Sequence, residues 1–519
     1  MAALSAIAGA RADHRNLSDA MHRVLKELEN LRDAARDSSD DEDAVHDLRT
    51  SIRRCRSIAK VMEEVDPDPA WTGMRDTAKK LFHGWGALRD AHVMKTWVEK
   101  LAPPDDPIAA QLLSDFSARE PQLRQEALRA ARKFDEKKWL RLERILRRHS
   151  RLVAPGSLTA ESLALERFET AKELHARALR TEKPKAWHAL RKSVKQFRYT
   201  VENLLPEHHG VWRENLKRVQ DLLGEVHDFD VLTECVKSVA LENAEDSRHT
   251  WSEILSRERA ERIATYRQLM LGATSLWASW RHALPHGERL QSSAMARLRV
   301  TARAADAHPH RTARTTRIAK YLFDSLRRAK AAAIFLDRRS RQLLSAAASL
   351  HNVREQHSGK TSQQKMPQKT AHKFLQGLAK PPGFPLHDWH ILLAAVRYHR
   401  GAEPQEKNGV FAKLSEGEQS EVRALAGILR LARALRKSGL VASSRFRAES
   451  TPEAIILRIP TLPDSIETAT RLAAAKHLLE VYLERSLVLR PLPATVTVPA
   501  VPEPVAPQPG LVHFAAASD

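Results

Sequence analysis

The sequence predicts a mainly α-helical chain that ends in one small strand–helix–strand element. Three observations carry that expectation. Ala, Leu and Arg dominate, and aromatic residues make up only 5% of the 519 residues; alanine and straight-chain residues lose little side-chain entropy in a helix. Apolar residues recur at three- and four-residue intervals, the spacing of one buried helix face. Short polar or proline-containing breaks punctuate these stretches, "ARDSSDDED", "EVDPDPAWTG", "LAPPDDP", "APGS", "TEKPKAW" and "LPEHHG", as in helices joined by short connections.

In chain order, residues 1–16 are expected to be a flexible N-terminus. Residues 17–284 read as one helical domain in two halves, about 17–150 and 160–284, followed by a linker over 285–301. Residues 302–492 form a second domain, helical to about Leu440 and interrupted by the polar stretch "REQHSGKTSQQKMPQKT". In "AIILRIP" (Ala454–Pro460) and "RSLVLRPL" (Arg485–Leu492) the residues are branched and apolar enough for short strands, flanking a helix from about Ser465 to Glu484. The end, 493–519, is Pro-rich with little to bury and is expected to be disordered.

The formal net charge is +21, which calls for a polyanionic partner. The 2 cysteines, Cys55 and Cys235, are far apart and without metal-ligand spacing, so a disulfide framework is excluded. No apolar run is long enough to span a bilayer. "MAALSAIAGARAD" lacks the basic start of a signal peptide. Cytoplasmic residence is the expectation, and the sequence carries no signal of oligomeric state.

One helix carries an unusual pattern. In "AVHDLRTSIRRCRSIAKVME", His46, Arg49, Arg53, Arg56 and Lys60 are spaced three, four, three and four residues apart, the spacing that normally carries an apolar seam. That seam runs one residue earlier, through Val45, Leu48, Ile52, Cys55, Ala59 and Met62. "AWHALRKSVKQFRYTVENLL" repeats both stripes: His188, Arg191, Lys195 and Arg198 beside Trp187, Leu190, Val194, Phe197, Val201 and Leu204. A second pair of related pieces follows downstream, "LFHGWGALRDAHVM" and "VQDLLGEVHDFDVL", so the repeat unit is about half a domain. A charged stripe is usually a solvated face. Here it occurs twice at the same offset, has few acids at i+4 to neutralise it, and begins each time with histidine. Unpaired cations cost several kcal/mol each to desolvate, so two such helices are expected to line an open, wet groove. The first stripe covers about 20 Å of helix, which suits an extended anion better than one phosphate.

These stretches resemble the two halves of a CHAD domain, the conserved-histidine α-helical domain. The resemblance implies a pair of four-helix bundles related by pseudo-symmetry, with a basic groove that binds inorganic polyphosphate. Carried onto this chain, the polyphosphate ligands would be His46, Arg49, Arg53, Arg54, Arg56, Lys60, His188, Arg191, Lys192, Lys195, Arg198 and Tyr199. Lys79, Lys80, Lys217 and Arg218, before the "RD" and "HD" pieces, are further candidates.

In the second domain, "AASLHNVREQHSG", "AVRYHRG" and "FAKLSEGEQSEVRALAGILRLARAL" resemble the C-terminal histidine–aspartate-type domain of the exopolyphosphatase and guanosine-pentaphosphatase family. That family implies a His-Asp dipeptide holding a divalent metal for phosphate hydrolysis. Here the dipeptide is His351-Asn352, and an amide is a poor substitute for a carboxylate at a hard cation. Thr370 stands where a histidine is expected, with His372 two residues off, and His308 and His310 do not clearly align. No ATPase-like domain is read in the 519 residues. No metal, no cofactor and no catalytic residue are expected; His351, His399 and Arg400 form a candidate second phosphate site, to which Arg430, Arg433 and Arg436 would add.

The reading is a non-catalytic polyphosphate-binding protein associated with polyphosphate granules. Two rivals stand beside it: a metal-dependent phosphohydrolase, for which Glu355 is the one nearby replacement carboxylate, and a nucleic-acid binder. The second rival lacks a groove-reading motif and aromatic interleaving.

Overall fold

The computed structural model describes residues 2–34, 42–242, 244–306, 308–331, 337–353, 367–405, 409–440, 446–460, 462–463 and 465–492. The Pro-rich tail and Glu355 lie outside the described residues. The fold is mainly helical, with a three-stranded sheet near its end.

The first half contains α1 (Ala2–Ala34), α2 (Glu42–Met62), α3 (Pro69–Leu101), α4 (Pro107–Arg132) and α5 (Glu136–His149). The second contains α6 (Leu158–Thr181), α7 (Pro184–Leu204), α8 (Pro206–Ser238), α9 (Glu245–Met270) and α10 (Leu276–Ala283). The breaks seen in the sequence are helix starts. Asp68 and Asp106 accept hydrogen bonds from Ala70 N and Ala109 N, and each is followed by a proline in the first helical position. That position has no backbone partner to lose.

Both apolar seams are buried throughout, from Val45 to Met62 and from Trp187 to Leu204. They belong to one continuous core that also takes in Trp71, Trp139, Trp277 and Trp280. A smaller core joins the far ends of α3 and α4 to those of α8 and α9. α2 and α7 pack against each other, so the two basic stripes are brought side by side.

The backbone is helical from Ala2. One expectation is corrected. The segment 285–301 is mostly helix: α11 (Gly287–Ala305) packs on α6 and on the helices that follow. Its buried face is made of small residues, Ser293, Ala294, Thr301, Ala302 and Ala305, with Met295 and Leu298, too weakly apolar to stand out in the sequence. α11 is locked to the first domain by charge. Buried Arg297 pairs with Glu166 at 3.0 Å and Glu64 at 3.5 Å, and Glu64 also pairs with Arg167 of α6.

Then follow α12 (Pro309–Arg328), α13 (Arg338–Leu350), α14 (Pro367–Gln376), α15 (Leu386–Tyr398) and α16 (Glu416–Lys437), with α17 (Ile466–Leu483) crossing between strands. β2 (Ala454–Ile459) pairs in parallel with β3 (Ser486–Pro491), and β1 (Arg447–Ser450) pairs antiparallel with β2. The strands read in the sequence are β2 and β3; β1 is an added edge, mostly exposed and polar. Gly427 lets α16 and α17 meet, since a Cβ there would stand 3.0 Å from Leu479 backbone atoms. Among the described residues, no helix is long and apolar enough to cross a membrane.

Candidate functional site

A groove of about 770 Å³ is lined by residues of α2, α7, α3 and α8. From α2 it is lined by His46, Arg49, Arg53, Arg56 and Lys60, and from α7 by Arg191, Lys192, Lys195 and Tyr199. α3 adds Arg75, Phe82, Arg89 and Asp90, and α8 adds His227 and Asp228. Two carboxylates thus stand among nine Lys and Arg side chains.

Arg75 pairs with Glu63, whereas Arg49, Arg53 and Arg56 are held largely by uncharged groups. Arg49 Nη1 donates to the Trp85 carbonyl oxygen at 2.8 Å, with Asp90 3.8 Å away. It lies close over Gly86, where a Cβ would stand 3.2 Å from Nη1. The Arg49 and Arg56 guanidinium carbons stand 5.0 and 4.7 Å from the centroid of the Phe82 ring, a cation–π arrangement that orients charge without cancelling it. Arg53 donates to the Tyr199 hydroxyl at 3.3 Å, tying α2 to α7. Arg191 Nε is buried without a hydrogen-bond partner.

The electrostatics record that crowding. Burial pushes the Lys195 ammonium down to about 7, helped by Arg191 and Arg53 and opposed by Asp228. Burial also lowers Arg49, Arg56, Lys60 and Arg191. It raises the Asp228 carboxyl to about 6 against the pull of Arg191. His227 is pushed down to about 4 by burial and then by Arg191, and His188 is lowered by the same two causes.

The structure sorts the residues singled out by sequence. His46, Arg49, Arg53, Arg56, Lys60, Arg191, Lys192, Lys195 and Tyr199 meet in the groove. His188 stands behind it, its Nδ1 3.3 Å from Nδ1 of His227, which takes the lining position. Arg54, one residue and about 100° round the helix from Arg53, pairs with Glu202 instead. Arg198 lies over the Tyr199 ring, 5.8 Å from its centroid, and is not in the groove wall. Lys79, Lys80, Lys217 and Arg218 are exposed outside it. Lys80 faces a separate depression beside α4, with Asp76 and Glu126; Lys217 is about 15 Å along α8 from His227. Sequence reasoning missed Arg75, Phe82, Arg89, Asp90, His227 and Asp228. Four of these recur at matched positions, in "GALRD" and "GEVHD".

Residues 19–237 match the family model of the CHAD domain. They are a CHAD domain. Residues 299–476 match a second model, that of the Ppx/GppA phosphatase, domain III. A comparison with curated proteins finds no match to the chain. Together the two families point to a polyphosphate-related function, and the groove is the part of the CHAD domain suited to an anion.

The metal that the second family implies does not fit the residues present. His351 and His399 end α13 and α15, both buried, with ring centroids 5.2 Å apart. Asn352 stands at the carboxylate position, its amide 3.4 Å from the Thr312 hydroxyl. His372 faces the Leu393 carbonyl oxygen, and His308 and His310 are exposed. Among the described residues no group of three or more His, Cys, Asp or Glu side chains is placed to hold a metal ion. Arg433 lies near both buried imidazoles, an unfavourable neighbour for a cation.

The groove's charges set a pH dependence. A bound polyanion favours charged Lys195 and neutral Asp228, so binding takes up protons. Affinity for polyphosphate is therefore expected to fall as pH rises from 6 to 8.5, by about tenfold. Lys195→Arg, which stays charged throughout, should flatten the upper part of the profile. Equal wild-type affinity at both pH values would remove Lys195 and Asp228 from the contact.

Proposed function

We propose that this protein binds inorganic polyphosphate along the CHAD groove without hydrolysing it, and associates with polyphosphate granules. One observation carries the reading: cations from two adjoining helices form a continuous lining in which Asp90 and Asp228 are the carboxylates. Desolvated like charges raise one another's cost, and a chain of phosphates relieves it along the whole stripe. Arginines supply paired hydrogen bonds to phosphate oxygens, and Lys60, Lys192 and Lys195 supply point charges. His46, at one end, adds a ring N–H donor. Tyr199 and Phe82 orient guanidinium groups, leaving them charged. Among the described residues no His, Cys, Asp or Glu set in the groove is placed to hold a metal ion; the groove binds and orients.

The experiment that tests the non-catalytic part is phosphate release. Purified protein incubated with long-chain polyphosphate and Mg²⁺ or Mn²⁺ should bind the chain and release no orthophosphate, and Asn352→Asp should not create activity. Chelator-sensitive release that His351→Ala abolishes would make the protein a hydrolase.

A further inference from the structure

Helix α5 turns two unlike faces to its surroundings. Trp139, Leu142 and Leu146 are buried in the core, and Trp139 Nε1 donates to the Met21 carbonyl oxygen of α1 at 3.0 Å. At the far end His149 Nδ1 stands 2.7 Å from Asp66 Oδ2. The helix is thus fixed by its inner face, on α1 and α3. The outward face is basic along its whole length. Lys137, Arg141, Arg144, Arg148 and Arg151, the last in the turn Ser150–Leu152, are exposed and spaced four, three, four and three residues apart. They form one straight row of about 21 Å. Lys138 and Arg147, also exposed, flank the row on opposite sides.

The acids of this stretch do not neutralise the row. Asp135 caps the helix by accepting from Lys138 N, and Glu136 pairs with Arg32 of α1 at 2.5 Å. Buried Glu143 accepts from the Ser18 hydroxyl at 2.5 Å and stands 4.0 Å from Arg147. Among the described residues, Lys137, Lys138, Arg141, Arg144, Arg148 and Arg151 have no carboxylate within ion-pair distance. The row is also separate from the groove. On α3, Arg75, Phe82 and Arg89 line the groove, whereas Asp76, Thr77 and Lys80 line the depression that Lys138 shares. Those two faces lie about half a turn apart on that helix.

The shape of the charge selects the ligand. A single phosphate chain would satisfy the central row and leave the flanking cations unused; the concave groove suits such a chain better. A bilayer calls for apolar groups at the centre of the contact, but Leu140 and Ile145, the exposed apolar residues of this helix, stand at its margins. A single nucleic-acid strand stacks its bases on aromatic rings, and the tryptophan of this helix is buried. B-form DNA presents two phosphate strands across a major groove about 12 Å wide. A helix about 10–12 Å in diameter, with cations on its crest and on both shoulders, meets both strands.

We propose that the outward face of α5 binds double-stranded DNA through its phosphates, seated over the major groove and indifferent to base sequence. The guanidinium groups donate to phosphate oxygens on either side, contacts that position the helix and carry no sequence information. The polyphosphate groove stays free, so one chain holds both polyanions at once.

The test uses the full chain carrying Arg53→Glu and Lys195→Glu, so that the groove cannot supply the binding and failure here is distinct from failure of the groove reading. A short labelled DNA duplex is titrated by fluorescence anisotropy at several salt concentrations, with and without Arg141→Gln, Arg144→Gln and Arg148→Gln. These positions are exposed and glutamine keeps helix propensity, so Tm should not move. The three substitutions together should weaken binding about tenfold or more and lower the slope of log K against log salt by about 2.7, at roughly 0.9 per lost contact. Arg144→Gln alone should lower it by about 0.9. With the groove intact, the three substitutions should leave polyphosphate affinity within about twofold, as expected of separate sites. No duplex binding, a slope indifferent to the substitutions, or an equal loss of polyphosphate affinity would overturn the proposal. So would binding to phosphatidylserine vesicles or single-stranded DNA in preference to the duplex.

Discussion

Charge reversal of Arg53 and Lys195 together weakens polyphosphate binding by roughly 100-fold or more, while far-ultraviolet circular dichroism stays helical. Each cation contributes on the order of 1.5–3 kcal/mol as a charge-assisted contact, and an acid in its place adds repulsion. The helices survive because the apolar seam beside each stripe is untouched: Ile52 and Val194 remain fully buried. The salt dependence should change as well. Each lost phosphate contact removes about 0.7 from the slope of log K against log salt for a flexible single chain, so the double variant should lose about 1.4. Binding titrations at three or more salt concentrations measure both quantities. Undiminished affinity with an unchanged slope would place the chain elsewhere on the protein.

Glu64→Ala is expected to destabilise the protein by about 3–5 kcal/mol, the usual cost of removing one partner of a buried ion pair. Arg167 and Arg297 converge on this carboxylate, with guanidinium-bearing side chains only 11% and 5% exposed. Arg297 retains Glu166, whereas Arg167 loses its carboxylate partner. The effect reads as a fall in the denaturant midpoint. A second substitution, Arg167→Met, should recover part of it by removing the stranded charge. A loss of less than 1 kcal/mol would mean that the ion pairs of Glu64 contribute little to stability.

Much of this was legible because two periodicities coexist in one helix. On α2 and α7 the buried seam and the basic stripe are each regular, and their one-residue offset places both faces at once. The same regularity misled at Arg54, whose adjacency to Arg53 in sequence is a quarter-turn in space, and at Arg198, where the stripe has run past the groove wall. The walls were harder to read. α3 and α8 bury residues toward the core and also present a groove face, so their amphipathic signal is blurred. Arg75, Phe82, Arg89 and His227 stand several turns apart on these 33-residue helices. Only the recurrence of glycine followed at four residues by aspartate, Gly86–Asp90 and Gly224–Asp228, marked the place.

In the second module, β2 and β3 were visible through their branched apolar residues, and β1 was not, because "RAES" is an exposed edge with no alternation to detect. α11 escaped notice for a related reason: its contact face is largely alanine and serine, and buried Arg297 on that face reads as a surface residue until Glu64 and Glu166 are placed beside it. Partners that are remote in sequence leave no local pattern.

The most direct measurement of the central claim is competition. Labelled long-chain polyphosphate is bound to the purified full chain and challenged, at several salt concentrations, with orthophosphate, single-stranded nucleic acid and double-stranded nucleic acid, for the wild type and the Arg53→Glu, Lys195→Glu variant. A groove built for polyphosphate predicts displacement by unlabelled polyphosphate at far lower phosphate concentration than by either nucleic acid, and loss of that preference in the variant. Equal or better displacement by nucleic acid, or a preference that survives in the variant, would contradict it.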